Sequence, residues 1–210
     1  MIEFLLAHGA DKTARDAVDK TPFMYALFFT HTHLYDLLLV PENLNEHLLH
    51  AGEHLLHFAA KECSPQTIDY LLQKGANPLV VDDDGKTPLM TALLTSNTDA
   101  MRVLAKQQPN GFDIIDKEGL CALHHAMNQF DESGRVKKGE LAEILLANGA
   151  DVDQVDKHGR SALLICGERG PDSLYLEPIE FLLKHGANPD FRTANGLYPL
   201  LQVRCLHNYQ

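Results

Sequence analysis

The chain has 210 residues, of which 45% are hydrophobic and 22% are charged, a composition typical of a globular protein. Its 18 Lys and Arg residues against 29 Asp and Glu residues give a formal net charge of −11, which argues against nucleic acid and an anionic membrane as partners, because both are bound through Lys and Arg. The first residues lack the basic region of a signal peptide, and no run approaches the roughly 18 apolar residues that a membrane-spanning helix needs.

The four cysteines, Cys63, Cys121, Cys166 and Cys205, are far apart in the chain and include no CxxC pair. Such spacing is typical neither of a disulfide framework nor of a zinc ribbon. It predicts unpaired thiols in a reducing compartment, and we expect the protein to be intracellular and cytoplasmic.

One short segment recurs along the chain and predicts a repeat architecture. Its clearest copy is residues 85–92, with the sequence Gly-Lys-Thr-Pro-Leu-Met-Thr-Ala. The position of the threonine recurs at residues 21, 54, 87, 121, 161 and 198, with spacings of 33, 33, 34, 40 and 37. A Gly-Ala-Asp or Gly-Ala-Asn triplet starts 12 residues before such a position at residues 9, 75, 149 and 186. Two features that keep one offset four times indicate a true repeat.

Each unit has the signals of two helices and an extended link. Threonine caps the start of a helix, and the proline after it fits the first helical position, where no N–H is needed. A second helix carries a Leu-Leu pair and ends at the glycine of the triplet, which can adopt a left-handed backbone. The link between the units predicts a hairpin-like finger. A row of mostly small residues lets the first helices pack closely: Ala26, Ala59, Ala92, Ala126, Cys166 and Val203.

These motifs resemble the ankyrin repeat over essentially the whole chain. The resemblance implies an all-α solenoid of helix-turn-helix units with finger loops, in a single domain over residues 1–210. The units are a half repeat at 1–15, repeats that start near residues 16, 49, 82, 116 and 156, and a terminal half repeat at 193–210. Glu42-Asn43 and Pro109-Asn110 replace Gly-Ala, which predicts irregular second-helix ends in the first and third repeats.

Two units are longer than the 33-residue period, and the surplus lies between their two helices. The insertions are residues 129–139 and 170–173, whose polar, Gly- and Pro-bearing sequences predict surface loops. Tolerated insertion is the favoured interpretation. A second contact site for a partner is the alternative.

The segment 46–57 contains His47, His50, His54 and His57, a set that suggests a metal site because imidazole is a common metal ligand. The repeat frame offers a simpler account, since it places His54 at the threonine position, His57 at the motif histidine and the other two on a finger. A structural role is therefore favoured, and a metal-binding protein is kept as an alternative. No metal or other cofactor is predicted.

Catalytic motifs are missing from the sequence. Nothing matches a GxSxG elbow, a P-loop or an HExxH zinc motif, and no Cys–His pair is singled out as a nucleophile and base. The acidic residue Asp82 has a structural interpretation: it is a motif aspartate at the base of a finger, and its equivalents in other repeats are Asp16, Asp116 and Asp156. The chain is not predicted to be an enzyme. The alternative is the non-catalytic ankyrin region of an enzyme whose catalytic domain lies outside this chain.

The resemblance implies binding of a partner protein on the concave face that fingers and first helices line. Tyr25 and Phe58 are expected to project there as aromatic anchors. The predicted partner is a protein or peptide with apolar anchors and basic residues, and the chain could be the targeting part of a scaffold or of a bacterial effector delivered into a host cell. The candidate binding residues are, on first helices, Tyr25, Phe28, Phe29, Phe58, Lys61, Thr91, Leu94, His125, Asn128 and Gln129, and, on fingertips, Asp83, Asp84, Lys117, Glu118, Lys157 and His158.

Overall fold

Helices are the main regular elements of this structure. The structure, a computed structural model, describes residues 1–45, 50–107, 111–128, 139–168 and 173–191. The helices are α1 (Ile2–Ala7), α2 (Pro22–Phe28), α3 (Tyr35–Leu38), α4 (Leu55–Glu62), α5 (Pro65–Gln73), α6 (Pro88–Leu94), α7 (Thr98–Gln107), α8 (Ala122–Asn128), α9 (Glu140–Ala147), α10 (Ala162–Glu168) and α11 (Ser173–Lys184). Short 3-10 turns lie at Thr32–Leu34, Pro41–Asn43 and His50–Gly52.

The predicted all-α class is confirmed. In the described part of the chain, β pairing is limited to one isolated bridge between Val155 and Ser161. Among the same residues, no helix is both long enough and apolar enough to cross a membrane.

The first helix of a repeat starts where the threonine motif predicts. The Thr21 hydroxyl accepts the N–H of Met24 at 3.4 Å, and the Thr87 hydroxyl accepts that of Met90 at 3.3 Å. Proline follows each cap at the first helical position. The cap and the proline together satisfy or remove donors that the first turn of a helix leaves unpaired.

The helices stack in two layers. Each first helix contacts the second helix of its own unit, in the pairs α2–α3, α4–α5, α6–α7, α8–α9 and α10–α11. First helices also contact the first helices of neighbouring units, and α5, α7 and α9 contact one another in order. The core lies between these layers, and the small residues Ala26, Ala59, Ala92, Ala126 and Cys166 are all buried there. Val203, the last of the predicted row, lies outside the described residues.

The second helices end as their sequences predict. Gly75 and Gly149 adopt left-handed backbone angles, with φ of 97° and 98°, where the helices stop. The first repeat has neither glycine nor a regular helix at this place: α3 has four residues and lies between 3-10 turns. The irregular end predicted there from Glu42-Asn43 is confirmed, while Pro109-Asn110 lies outside the described residues.

Fingers are closed by their base aspartates and joined to each other by backbone bonds. The Asp82 N–H donates to the Lys86 carbonyl at 3.0 Å, and the Asp82 carboxylate accepts the Lys86 N–H at 2.8 Å. Equivalent bonds form at Asp16, Asp116 and Asp156. The fingertips are linked by the N–H groups of Asp83, Lys117 and Lys157, which donate to the carbonyls of Ala51, Asp84 and Gly119 at 2.9, 2.8 and 3.0 Å.

Candidate protein-binding surface

The predicted anchors on the first helices differ in their exposure to solvent. Tyr25 is 39% exposed, as expected, but Phe58, which occupies the same repeat position, is only 4% exposed. The expectation that Phe58 projects from the surface is therefore wrong. Its ring lies beneath Lys20 of the preceding repeat, whose Nζ is 5.3 Å from the ring centroid. Phe58 packs between repeats rather than facing a partner.

Two further candidates of the same row are also buried. Thr91 and His125 have little contact with solvent, so their expected exposure is wrong as well. His125 Nε2 lies 2.6 Å from Asp116 Oδ2, and both side chains are almost completely covered. At this repeat position His125 faces a finger base and Phe58 faces the preceding unit, so both side chains are covered instead of projecting.

Tyr25 occupies the same repeat position as His125 and makes the equivalent contact at the surface. Its hydroxyl donates to the Asp16 carboxylate, nine residues earlier, just as His125 contacts Asp116. This hydrogen bond raises the pKa of Tyr25 and lowers the pKa of Asp16. The bond fixes the exposed tyrosine ring against the base of the first finger.

Three exposed aromatic side chains form what we call the aromatic patch: Tyr25, Phe28 and Phe29. The Tyr25 and Phe29 rings are stacked with centroids 6.4 Å apart, and the Phe28 and Phe29 rings meet edge to face at 5.0 Å. Phe28 is 40% exposed and Phe29 is 56% exposed. Because each ring is held by its neighbours, little side-chain freedom remains to be lost when a partner binds.

Lys20 covers one side of the aromatic patch. Its Nζ lies 6.0 Å from the Tyr25 ring centroid and 5.5 Å from that of Phe28, in addition to its contact with Phe58. These distances are within the range of cation–π attraction. The sequence interpretation did not include Lys20. The position of Lys20, a basic residue immediately before a motif with two aromatic residues, could have indicated its contact with the Tyr25 ring. No sequence signal indicated its contact with Phe58 of the next repeat.

A second row of candidates, one turn further along the first helices, is open to solvent. Phe28, Lys61 and Leu94 occupy equivalent positions and are exposed, and Asn128 is half-buried. This row continues the aromatic patch from the first repeat to the third. Gln129, its neighbour, lies outside the described residues.

The fingertip candidates are also exposed: Asp83, Asp84, Lys117, Glu118, Lys157 and His158. Lys86 Nζ contacts the Asp84 carboxylate at 2.9 Å, and this ion pair lowers the pKa of Asp84. The tips therefore present charges of both signs beside the second row, with the backbones of neighbouring fingers joined beneath them.

The histidine segment has a structural role where it is described. His57 Nε2 lies 2.8 Å from the Lys86 carbonyl oxygen, and His57 Nδ1 accepts the His54 N–H at 3.2 Å. With both ring nitrogens in hydrogen bonds, His57 would have to break one of them to bind a metal ion. No group of three or more His, Cys, Asp or Glu residues arranged for a metal occurs within the described ranges. His47 lies outside those ranges.

Cys121 and His124 are close but lack the properties of a nucleophile and its base. Cys121 Sγ is 2.9 Å from His124 Nδ1, and both residues are buried. Burial raises the pKa of the Cys121 thiol and lowers the pKa of the His124 ring, so the two groups are held in their uncharged forms. Burial likewise raises the pKa of Cys63 to about 12. Most of the two predicted insertions, at residues 170–172 and 129–138, lies outside the described residues.

Comparison with known proteins shows which family the chain resembles. A family model described as ankyrin repeats (3 copies) matches residues 1–82 and 56–135. The B-cell lymphoma 3 protein homolog of Mus musculus is 31% identical over 145 residues, which are 67% of this chain and 30% of that protein. Rabankyrin-5 of Homo sapiens is 28% identical over 152 residues, which are 71% of this chain and 12% of that protein.

A solved structure supports the same fold over nearly the full length. The crystal structure of the ankyrin repeat domain of Bcl-3, described as a unique member of the IkappaB protein family, matches with a TM-score of 0.77 and 23% identity. The match covers 97% of this chain and 86% of that chain. The predicted solenoid of helix-turn-helix units is therefore confirmed. The chain spans less than a third of the length of either relative in sequence.

Proposed function

This chain belongs to the ankyrin-repeat family, whose repeats are protein–protein interaction modules, and we propose that it binds a partner protein through the surface formed by its first helices and fingertips. The observation that carries this proposal is the aromatic patch of Tyr25, Phe28 and Phe29. Clustered exposed aromatic side chains are uncommon on a surface that remains in water and are frequent at the centres of interfaces.

The binding surface we propose has an apolar end and a charged side. The aromatic patch lies in the first repeat, and Leu94 extends its apolar character to the third. Fingertip charges border this row at Asp83 and Asp84. A segment of the partner would place apolar side chains on the patch and its polar groups along the fingertips.

The negative net charge of the chain favours a partner segment that carries Lys or Arg. The chain has a formal net charge of −11, so a basic segment would be attracted before contact and an anionic one would be repelled. Such long-range attraction acts mainly on the rate of association. The partner we propose therefore combines apolar anchors with basic residues.

We propose binding rather than catalysis as the role of residues 1–210. In support, the thiol of Cys121 and the imidazole of His124, which lie 2.9 Å apart, are buried and held in their uncharged forms. We also propose that the chain functions inside a cell. It is supported by Cys63 and Cys121, which are free, buried thiols of the kind that persists in a reducing compartment.

The proposal is tested by capturing partners with the tagged chain and comparing two variants. Phe28→Ala combined with Leu94→Ala removes two exposed side chains of the second row, while Leu183→Ala removes an equally exposed leucine at the end of α11. We expect the double variant to lose at least tenfold in affinity for the captured protein, and the Leu183 variant to bind as the unchanged chain does. Equal loss in both, or in neither, would contradict the proposed surface.

The charge component has its own measurement. Asp83→Asn combined with Asp84→Asn removes two fingertip charges without changing side-chain shape. We expect slower association with the captured partner and a weaker dependence of that rate on salt, with little change in the dissociation rate. An association rate that is unchanged at low salt would remove the fingertips from the proposed surface.

A further inference from the structure

Lys20 occupies a repeat position at which two other units also carry a basic residue. It lies four residues after the base aspartate of its finger, and its equivalents in the third and fifth repeats are Lys86 and Arg160. Both equivalents form an ion pair within their own finger. Lys86 contacts Asp84 at 2.9 Å, and Arg160 contacts the base aspartate Asp156 at 2.7 Å. Within the ranges that the structure describes, no ion pair involves the Lys20 ammonium group.

The first finger differs from the other two at both carboxylates that could form this pair. The aspartate that pairs with Lys86 is replaced in the first finger by Val18, which is uncharged and 61% exposed. The base aspartate is present as Asp16, but its Oδ2 atom accepts the Tyr25 hydroxyl. In the fifth repeat the same oxygen contacts the arginine. Lys20 therefore lacks both of the intramolecular partners that its equivalents use.

The Lys20 ammonium group is held by aromatic rings instead. Asp19, the acidic residue next to it in the chain, pairs with Arg15 at 2.7 Å. Lys20 Nζ lies 6.0 and 5.5 Å from the centroids of two rings of the aromatic patch, and 5.3 Å from that of Phe58. A ring face attracts a cation, but it is a poor acceptor for the three N–H donors of an ammonium group. Those donors remain available to an anion.

We propose that Lys20 binds a carboxylate group of the partner protein, carried by an Asp or Glu side chain next to the apolar residue that lies on the aromatic patch. The inference rests on the proposed function and names one further feature of the same partner segment. Because Lys20 Nζ lies beside the Phe28 ring, a residue that covers this ring brings its neighbour in the partner close to the ammonium group. The hydrogen bonds formed there would join two charged groups, which makes them stronger than neutral ones.

The negative net charge of the chain is compatible with this pairing. Long-range attraction acts on the summed charge of the partner segment, which stays positive when one acidic residue accompanies several basic ones. The contact with Lys20 acts at short range, and Lys20 is half-buried beside apolar rings, where water weakens an ion pair less than it does at an open surface. Lys20 would thus select, among basic segments with apolar anchors, those that carry an acid beside an anchor.

Random peptides displayed on phage are a suitable probe, because they are joined to the coat protein through their C-terminus and present only side-chain carboxylates near the surface. We expect peptides selected on the full chain to carry Asp or Glu next to an aromatic or aliphatic residue. Selection on Lys20→Glu should favour Lys or Arg at that place. Lys86→Glu is the matched control, because Lys86 already pairs within its own finger, and it should leave the acidic preference unchanged.

One selected peptide, synthesised with an amidated C-terminus, gives the size of the effect by fluorescence anisotropy. Replacing its acidic residue with the corresponding amide should weaken binding to the unchanged chain roughly fivefold or more, as expected for a hydrogen bond between charged groups. The same replacement should change binding to Lys20→Met less than about twofold, because the two changes remove one shared contact. Circular dichroism should show that each variant is folded, and Lys20→Met tests the pairing without introducing a new negative charge.

The outcomes separate this inference from the proposed function. The combination of Phe28→Ala and Leu94→Ala should abolish binding of the selected peptides. If it does so, but the peptides lack the acidic preference or lose affinity equally on the unchanged chain and on Lys20→Met when the acid is replaced, the inference is overturned and the proposed surface stands. If no peptide is selected, or if the selected peptides bind the Phe28 and Leu94 double variant normally, the proposed surface fails and the inference fails with it.

Discussion

His57 joins two repeats through its ring, with Nε2 2.8 Å from the carbonyl oxygen of Lys86. Its Nδ1 accepts the His54 N–H at 3.2 Å, so the ring proton must be on Nε2, which donates to Lys86. His124 repeats the arrangement, since its Nδ1 accepts the Cys121 N–H and its Nε2 lies 3.2 Å from the Arg160 carbonyl. The motif histidine thus accepts a backbone N–H at the start of its own helix and also holds the next finger through a backbone carbonyl.

Replacing His57 should destabilise the fold strongly. We expect His57→Ala to lower the free energy of unfolding by roughly 2–4 kcal/mol, because it leaves the His54 N–H and the Lys86 carbonyl without this partner and opens a cavity. Urea denaturation followed by circular dichroism measures the change. His185→Ala is the control, because His185 is exposed just after α11 and its Nδ1 contacts the carbonyl oxygen of Phe181 in that helix, not a residue of another repeat. Similar losses in the two variants would refute the bridging role.

His124 should make the stability of the fold depend on pH. Burial lowers the pKa of His124 in the folded chain below its ordinary value of 6.5. The unfolded chain therefore binds a proton more readily below pH 6.5, and the free energy of unfolding should fall as the pH drops from 7 to 5, with this contribution fully present only above pH 6.5.

His124→Gln isolates this contribution from the other histidines. The variant should be less stable at pH 7, but its stability should fall less steeply than that of the unchanged chain between pH 7 and pH 5. Urea midpoints at four pH values give both slopes. Parallel pH profiles would mean that His124 does not contribute to the pH dependence.

The row of small residues should not tolerate enlargement. Ala92 is fully buried where α6 meets its neighbours, so Ala92→Leu should lower the free energy of unfolding by roughly 1–3 kcal/mol through overpacking. Ala147→Leu in α9 adds the same atoms at an exposed position and should cost less than about 0.5 kcal/mol. Denaturation curves for both variants test the assignment, and equal stabilities would show that the Ala92 contact is not close-packed.

Two left-handed glycines should differ because their surroundings differ. Gly149 has φ of 98°, and an added Cβ would meet nothing within 4 Å, so Gly149→Ala should cost only backbone strain of about 1 kcal/mol. An added Cβ on Gly85 would lie 3.2 Å from the Cα of Asp116 on the next finger. Gly85→Ala should therefore cost more, and thermal denaturation ranks the two. The reverse order would contradict the close packing of the fingers.

Local signals predicted the elements of this fold well, because each of them acts within a few residues. The Thr21 and Thr87 caps, the finger-base aspartates and the shortened α3 all follow from residues that lie in or next to the element concerned. The exposure of a repeat position is different. Phe58 and Tyr25 have the same phase in the sequence, but the preceding repeat covers only Phe58.

The same reason explains why the 50% exposure of Leu5 was not predicted. Leu5 and Leu71 are equivalent in the sequence, and only the arrangement of neighbouring helices separates a buried leucine from an exposed one. The burial of a side chain in a stacked repeat depends on contacts between units about 33 residues apart. The position of a residue within its own unit does not predict those contacts. The end units of a repeat protein are therefore where a prediction from periodicity is weakest.

The last prediction separates packing from binding on the first-helix surface. Phe58 is 4% exposed and Phe28 is 40% exposed, although Lys20 contacts both rings. We expect Phe58→Ala to lower the free energy of unfolding by roughly 3–5 kcal/mol, the usual cost of removing a buried phenylalanine, and Phe28→Ala to lower it by less than about 1 kcal/mol. Lys20→Met keeps most of the side-chain length but removes the charge, and should cost no more than about 1 kcal/mol, the usual worth of a cation–π contact near the surface. Urea denaturation of the three single variants and of the Lys20–Phe58 double variant gives each value and the coupling between the two residues. If Phe58→Ala proved no more destabilising than Phe28→Ala, the Phe58 ring would be free to face a partner, and the anchor assigned here to packing between repeats would return to the binding surface.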